Sequence, residues 1–170
     1  MTRAFAALAA LSAAFAVPAQ AGELFGGLYV HDVKTPLDLS GIESGMDVQL
    51  GYRGGRIAHT PLQPYAFAAI NTAGATNYAA VGLSAKFGHR LFVRPGLGLA
   101  VHTGSADPYY RTDRIAFGSR VLFEPEIGVG MRVNDRVDVE ASWVHMSHAR
   151  LFGNENPGID NIGARLTLKL

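Results

Sequence analysis

The sequence predicts an all-β protein, an eight-stranded antiparallel transmembrane β-barrel of the outer-membrane kind. Three observations predict it. Apolar residues recur with period two in eight segments of about ten residues, separated by turn-forming residues, and helical periodicity is hard to find. Charges in these segments collect on one face (Arg94, Glu124, Glu126, Arg132, Asp138, Glu140, Arg165, Lys169), and the other face is nearly free of them. A small barrel in lipid needs this, because its narrow lumen is filled by polar side chains that pair with one another. The connections also alternate in length: Gly88-His89 and Asn134-Asp135 are tight turns, whereas 34–44, 102–119 and 148–159 are longer. Short periplasmic turns opposite longer external loops are the outer-membrane pattern.

Residues 1–21 read as an export signal. Arg3 supplies a positive start, 4–17 is an apolar run, and Ala19-Gln20-Ala21 has the small-x-small form of a cleavage site. The run is shorter than the roughly 20 apolar residues of a helical span. Cleavage after Ala21 leaves 22–170 as a single barrel domain, exported and bound for the bacterial outer membrane.

The first strand is expected over 23–33. The second, 45–53, sets Met46, Val48, Leu50 and Tyr52 against Asp47, Gln49, Gly51 and Arg53. The third covers 62–71 and the fourth 77–87. The fifth, 90–102, sets Leu91, Val93, Pro95, Leu97, Leu99 and Val101 against Phe92, Arg94, Gly96, Gly98 and Ala100. The sixth, 120–133, alternates Val121, Phe123, Ile127, Val129, Met131 and Val133 with Glu124, Glu126, Gly128, Gly130 and Arg132. The seventh is 136–147 and the eighth 160–170. An even strand number places both ends of the barrel on the periplasmic side. The connection 54–61 is long for a periplasmic turn, and 72–76 is short for an external loop.

The formal net charge of +1 gives no electrostatic case for nucleic acid. The absence of cysteine removes disulfides and thiolate metal sites. His31, His59, His89 and His102 fall at strand ends or turns without the paired spacing of metal ligands, and read as exposed or interface residues. No metal and no cofactor are expected. Glu124 and Glu126 with Arg132 and Arg94 read as an ion-pair network in the lumen.

The chemistry is expected at the end of the seventh strand and the start of the eighth. His145 and Ser147 are two residues apart, which puts them on one face with Cα atoms roughly 6.5–7 Å apart. Asp160 enters from the next strand. Serine, histidine and aspartate in reach of one another are the parts of an activated nucleophile. Asp138 and Glu140 mark the other face as the lumen, so His145 and Ser147 point to lipid, and Asp160 is in phase with the apolar set Ile162, Ala164, Leu166, Leu168 and Leu170. Ionisable groups facing lipid are costly and tend to mark function. The external rim faces the lipopolysaccharide leaflet, where an esterase would meet acyl esters from the side. Trp143 reads as an interfacial anchor or a wall of an acyl groove. Arg111 and Arg114, beside Tyr109 and Tyr110, read as loop residues that could also hold phosphates.

These residues resemble a known family. His145-x-Ser147, Ala149 and Leu151, then Asn156-x-Gly158-Ile159-Asp160, are similar to the motif of the PagL-type lipid A 3-O-deacylases, His-x-Ser-Asn-Ala followed by Asn-x-Gly-x-Glu. The run 118–125 and Asn134-Asp135-Arg136 are also similar. The resemblance implies an eight-stranded outer-membrane barrel that hydrolyses the ester at the 3 position of lipid A without a metal. It makes Ser147 the nucleophile, His145 the base and then the acid, and Asp160 the orienting carboxylate, with Asn156 and His148 as candidates for oxyanion or substrate contacts. Two positions depart from the motif: His148 replaces its asparagine and Asp160 its glutamate. Glu155 is the alternative carboxylate. Lipid A is the expected partner, and a homodimer is compatible with the reading. The competing readings are a non-catalytic barrel, adhesin or structural, and another outer-membrane lipid enzyme such as a phospholipase or palmitoyl transferase.

Overall fold

The fold is described from a computed structural model over residues 22–36, 41–107, 109, 111–151 and 156–170. The export signal expected at 1–21 and the alternative carboxylate Glu155 lie outside these residues. The strands are β1 (Glu23–Val30), β2 (Met46–Arg53), β3 (Leu62–Asn71), β4 (Tyr78–Ala85), β5 (Phe87–Gly88), β6 (Leu91–His102), β7 (Val121–Arg132), β8 (Val137–Met146) and β9 (Ile159–Lys169). Sequence neighbours pair antiparallel except β4 and β5, which both lie on β6, and β9 returns to β1. The β4–β6 pairing completes a closed barrel of eight staves. β5 continues β4 in the same register on β6, after a break at Lys86 facing Arg94 and Pro95. Proline has no N–H to give a ladder, so the expected fourth strand is split there.

The two faces divide as the alternation requires. Leu50, Ile70, Leu91, Leu97 and Val129 stand on the outer wall with most of their side chains uncovered. This is the apolar surface a lipid-embedded barrel presents. Inside, Arg53, Arg94 and Arg165 are fully buried. Arg165 donates to Glu126 at 2.7 Å and to Glu140 at 3.1 Å, and Arg53 and Arg94 share Glu23 at 3.0 and 3.2 Å. Buried charges persist only when paired in this way. Arg132 is not part of this network. It reaches Asp138 at 3.8 Å at the periplasmic mouth, where Lys169 also binds that carboxylate, and Glu124 takes the Tyr65 hydroxyl instead of a cation. Beside the arginines, Phe25 packs edge-on to Phe67 at 6.3 Å. Gly51 leaves room for that pair, since a Cβ there would lie 2.4 Å from Phe25 Cζ.

The start of β1 and the end of β9 meet at one mouth, where Leu170 N donates to Gly22 O at 2.9 Å. The opposite, external mouth is covered by loops, with Ile115 and Phe117 fully buried. Two carboxylates organise these loops. Asp32 accepts the backbone N–H groups of Gly41, Ile42 and Glu43 at 3.2, 2.6 and 2.7 Å. Glu43 accepts from Thr76 N at 2.9 Å and Ile115 N at 3.4 Å, and so ties three connections together.

His31 and His102 are buried, against the expectation of exposed or interface residues. His31 bridges Asp47 and Glu43, at 2.9 and 3.1 Å. Burial lowers its pKa, but the two carboxylates outweigh burial and push it up to about 9. It is therefore a cation at neutral pH. His102 Nε2 donates to Ser119 O at 2.7 Å and its ring lies 4.3 Å from that of Phe117.

Candidate active site

The β8–β9 ladder places His145 directly opposite Asp160, with Trp143 opposite Ile162 one pleat below. Val137, Val139, Ala141, Trp143 and His145 share the outer side of β8, and Asp138, Glu140, Ser142, Val144 and Met146 are buried inside. The pair therefore sits on the outer wall at the external rim. It is not bare: the His145 side chain is 12% exposed and that of Asp160 0%.

His145 Nδ1 and Asp160 Oδ1 are 2.7 Å apart. An ionised carboxylate only accepts. The imidazole must therefore carry its proton on Nδ1, which leaves Nε2 as the free acceptor. The same Oδ1 accepts from Trp143 Nε1 at 2.9 Å, and the indole stacks on the imidazole with centroids 5.8 Å apart. Asp160 Oδ2 accepts from Thr35 Oγ1.

Ser147 continues β8 by one bridge. Its N donates to Phe123 O at 3.1 Å and its O accepts from Phe123 N at 2.8 Å. The backbone is thus fixed two residues beyond His145, on the same side. No hydrogen bond joins the Ser147 hydroxyl to His145 among the described residues. Immediately after, Ala149 and Arg150 take left-handed φ values of 51° and 59°, which turns the chain away from the strand. Asn156 closes this turn: its Oδ1 accepts from His148 N at 3.0 Å. That use of the carbonyl oxygen leaves the Asn156 amide group free to donate. The His148 side chain is fully buried.

Gly158 packs into the gap between His145 and Ser147. A Cβ there would lie 3.1 Å from His145 Cε1 and 3.6 Å from Ser147 Cβ, and its φ is +69°. The strands thus bring His145, Ser147, Asp160, Asn156 and His148 to one rim. Thr35 and the indole hydrogen bond were missed in the sequence, where nothing links a threonine to a carboxylate 125 residues away. Arg111 and Arg114 are engaged with acidic neighbours: Arg111 with Asp113 and Asp107 at 2.9 and 3.4 Å, Arg114 with Asp113 at 3.1 Å. Among the described residues, no group of three or more acidic or histidine side chains is arranged to hold a metal ion.

A family model described as lipid A 3-O-deacylase (PagL) matches residues 38–169. Among solved structures, the outer membrane enzyme PagL is similar over 87% of this chain and 99% of its own, with a TM-score of 0.58 and 20% identity. A de novo designed transmembrane β-barrel is similar over 88% of this chain and 95% of its own (TM-score 0.56, 11% identity). Neisserial surface protein A is similar over 88% and 97% (TM-score 0.55, 15% identity). At these identities the structural likeness establishes the barrel fold. No curated protein matches the chain in sequence.

Proposed function

We propose a reaction for this chain, which belongs to the lipid A 3-O-deacylase (PagL) family: hydrolysis of the ester that holds the 3-linked 3-hydroxyacyl chain on lipid A, by Ser147, His145 and Asp160. The observation that carries this reading is the 2.7 Å bond between His145 Nδ1 and Asp160 Oδ1 on the outer wall, with Ser147 two residues further along the same side.

The chemistry follows from that bond. Asp160 fixes the tautomer that leaves Nε2 basic, and the reaction requires the Ser147 hydroxyl, two residues along the same side, to reach it. Nε2 takes the hydroxyl proton as Oγ attacks the acyl carbonyl, and the negative Asp160 stabilises the imidazolium. The carbonyl oxygen becomes an oxyanion. The amide group of Asn156 is a candidate donor for it, and the His148 N–H acts by holding the Asn156 carboxamide in place. The imidazolium returns its proton to the departing 3-oxygen of the sugar, leaving an acyl-Ser147 ester. Water, deprotonated by Nε2, then releases the 3-hydroxy acid and restores the serine. No step calls for a metal or cofactor.

The site's position supports a lipid substrate. An outer-wall serine at the external rim meets a membrane ester from the side, whereas a soluble substrate has no reason to enter lipid. Purified protein in detergent, given lipopolysaccharide, is expected to release free 3-hydroxy fatty acid, and Ser147→Ala or His145→Ala to release none. Equal release by either variant contradicts the assignment.

A further inference from the structure

The carboxylate facing His145 is held by two side chains beyond the three reacting residues. Its Oδ1 accepts from Trp143 Nε1 at 2.9 Å as well as from His145, and its Oδ2 accepts from Thr35 Oγ1 in the β1–β2 connection. The backbone supports Thr35. Val33 N donates to Asp160 O at 2.7 Å, and Asp32 N to Asn161 Oδ1 at 3.0 Å. That segment is itself anchored, through the Asp32 carboxylate on the N–H groups of Gly41, Ile42 and Glu43, and through His31 on Asp47 and Glu43. Thr35 therefore hangs from a clamped stretch of chain.

We propose that Thr35 and Trp143 are positioning residues for the hydrolysis, holding Asp160 so that Oδ1 stays on the imidazole. This rests on the esterase reading above. An aspartate carboxylate turns readily about its terminal torsion, and such a rotation would carry Oδ1 off His145 Nδ1. With the indole N–H on one oxygen and the threonine hydroxyl on the other, the rotation costs a hydrogen bond at either end. Both donors also satisfy the oxygens of a carboxylate that is fully buried beside lipid, where an unpaired polar group is costly. The external loop thus completes the site from outside the β8–β9 hairpin.

The test uses the full-length barrel refolded in detergent, with gel mobility before and after heating to select folded protein. Thr35→Val keeps the shape of the side chain and removes its hydroxyl. Trp143→Phe keeps a ring beside His145 and removes the N–H. Each is expected to lower kcat about tenfold with little change in KM, and Thr35→Ser to restore it. A second readout is independent of turnover: the proton NMR resonance of the His145 Nδ1–H, identified by its loss in His145→Gln. This signal is expected to shift in Thr35→Val and Trp143→Phe and to return in Thr35→Ser. Wild-type kcat and an unmoved resonance in both deletion variants overturn the proposal. Failure of the esterase reading looks different: wild type and Ser147→Ala would then release acid equally, while the resonance still responds to Thr35→Val.

Discussion

His145 and Asp160 face each other across the β8–β9 ladder, with Nδ1 and Oδ1 2.7 Å apart on the outer wall. Their approach is set by strand register, so it is as rigid as the sheet. A slip of one residue would turn Asp160 into the lumen among the arginines. Sites built on strands hold their geometry better than sites built on loops. Here the two groups whose bond sets the tautomer are on strands, and Ser147, the proposed nucleophile, is one bridge beyond.

Asp160→Asn is expected to leave the barrel intact and lower kcat on the order of 10³- to 10⁴-fold, because an amide cannot fix the tautomer or stabilise the imidazolium. Glu155→Ala is expected to leave kcat near wild type. Steady-state release of 3-hydroxy acid measures both. The reverse ranking would move the carboxylate role to Glu155.

Gly158→Ala is expected to reduce activity more than tenfold in a protein that still folds. The added Cβ meets His145 Cε1 at 3.1 Å on a residue whose φ of +69° disfavours any side chain. The imidazole must shift, and a misplacement of this order in a reacting group is costly. Turnover and circular dichroism on the same sample separate the two effects; unchanged turnover contradicts the packing argument.

The His31 clamp makes the external loops pH-sensitive. Its pKa is raised in the folded protein, up to about 9, from an ordinary value near 6.5. A raised histidine contributes stability that is fully present below about pH 6.5 and lost as pH rises through about 9. On Glu43 burial works upward, but the hydrogen bonds from His31 and Thr76 prevail and hold it low, so it stays charged across this window. Protease resistance of the external loops should therefore be flat from about pH 5.5 to 6.5 and fall towards pH 9. His31→Gln should not show that fall. Parallel curves for the two proteins would rule the clamp out.

Arg165→Met is expected to lower barrel stability by about 3–5 kcal/mol, since Glu126 and Glu140 would be left buried without their shared cation. Denaturant-dependent loss of the folded gel band measures this. A change under about 1 kcal/mol would mean that the lumen charges do not depend on one another as described.

The barrel was legible in the sequence because period-two alternation reports which face a residue takes, and charge reports which face is the lumen. Both were readable for His145 and Ser147 from Asp138 and Glu140 alone. What the alternation does not encode is contact across the closed ring. Arg94 on β6 meets Glu23 on β1 at 3.2 Å, and only closure brings these distant strands together. The first strand also stops at Val30 rather than 33, because the next residues leave the ladder to lie on Asp160 and Asn161. That departure is what delivers Thr35 to the site, and no local pattern announces it. His31 was misread for the same reason: its carboxylates come from β2 and from the far end of a loop.

The most direct test is the intact mass of lipid A from cells producing wild-type protein or Ser147→Ala at equal levels in the outer membrane. Wild type is expected to remove one 3-hydroxyacyl chain from the 3 position, and the variant to leave lipid A unchanged. An unaltered lipid A mass in both, or the same loss in both, would contradict the assignment of Ser147 as the nucleophile of a lipid A esterase.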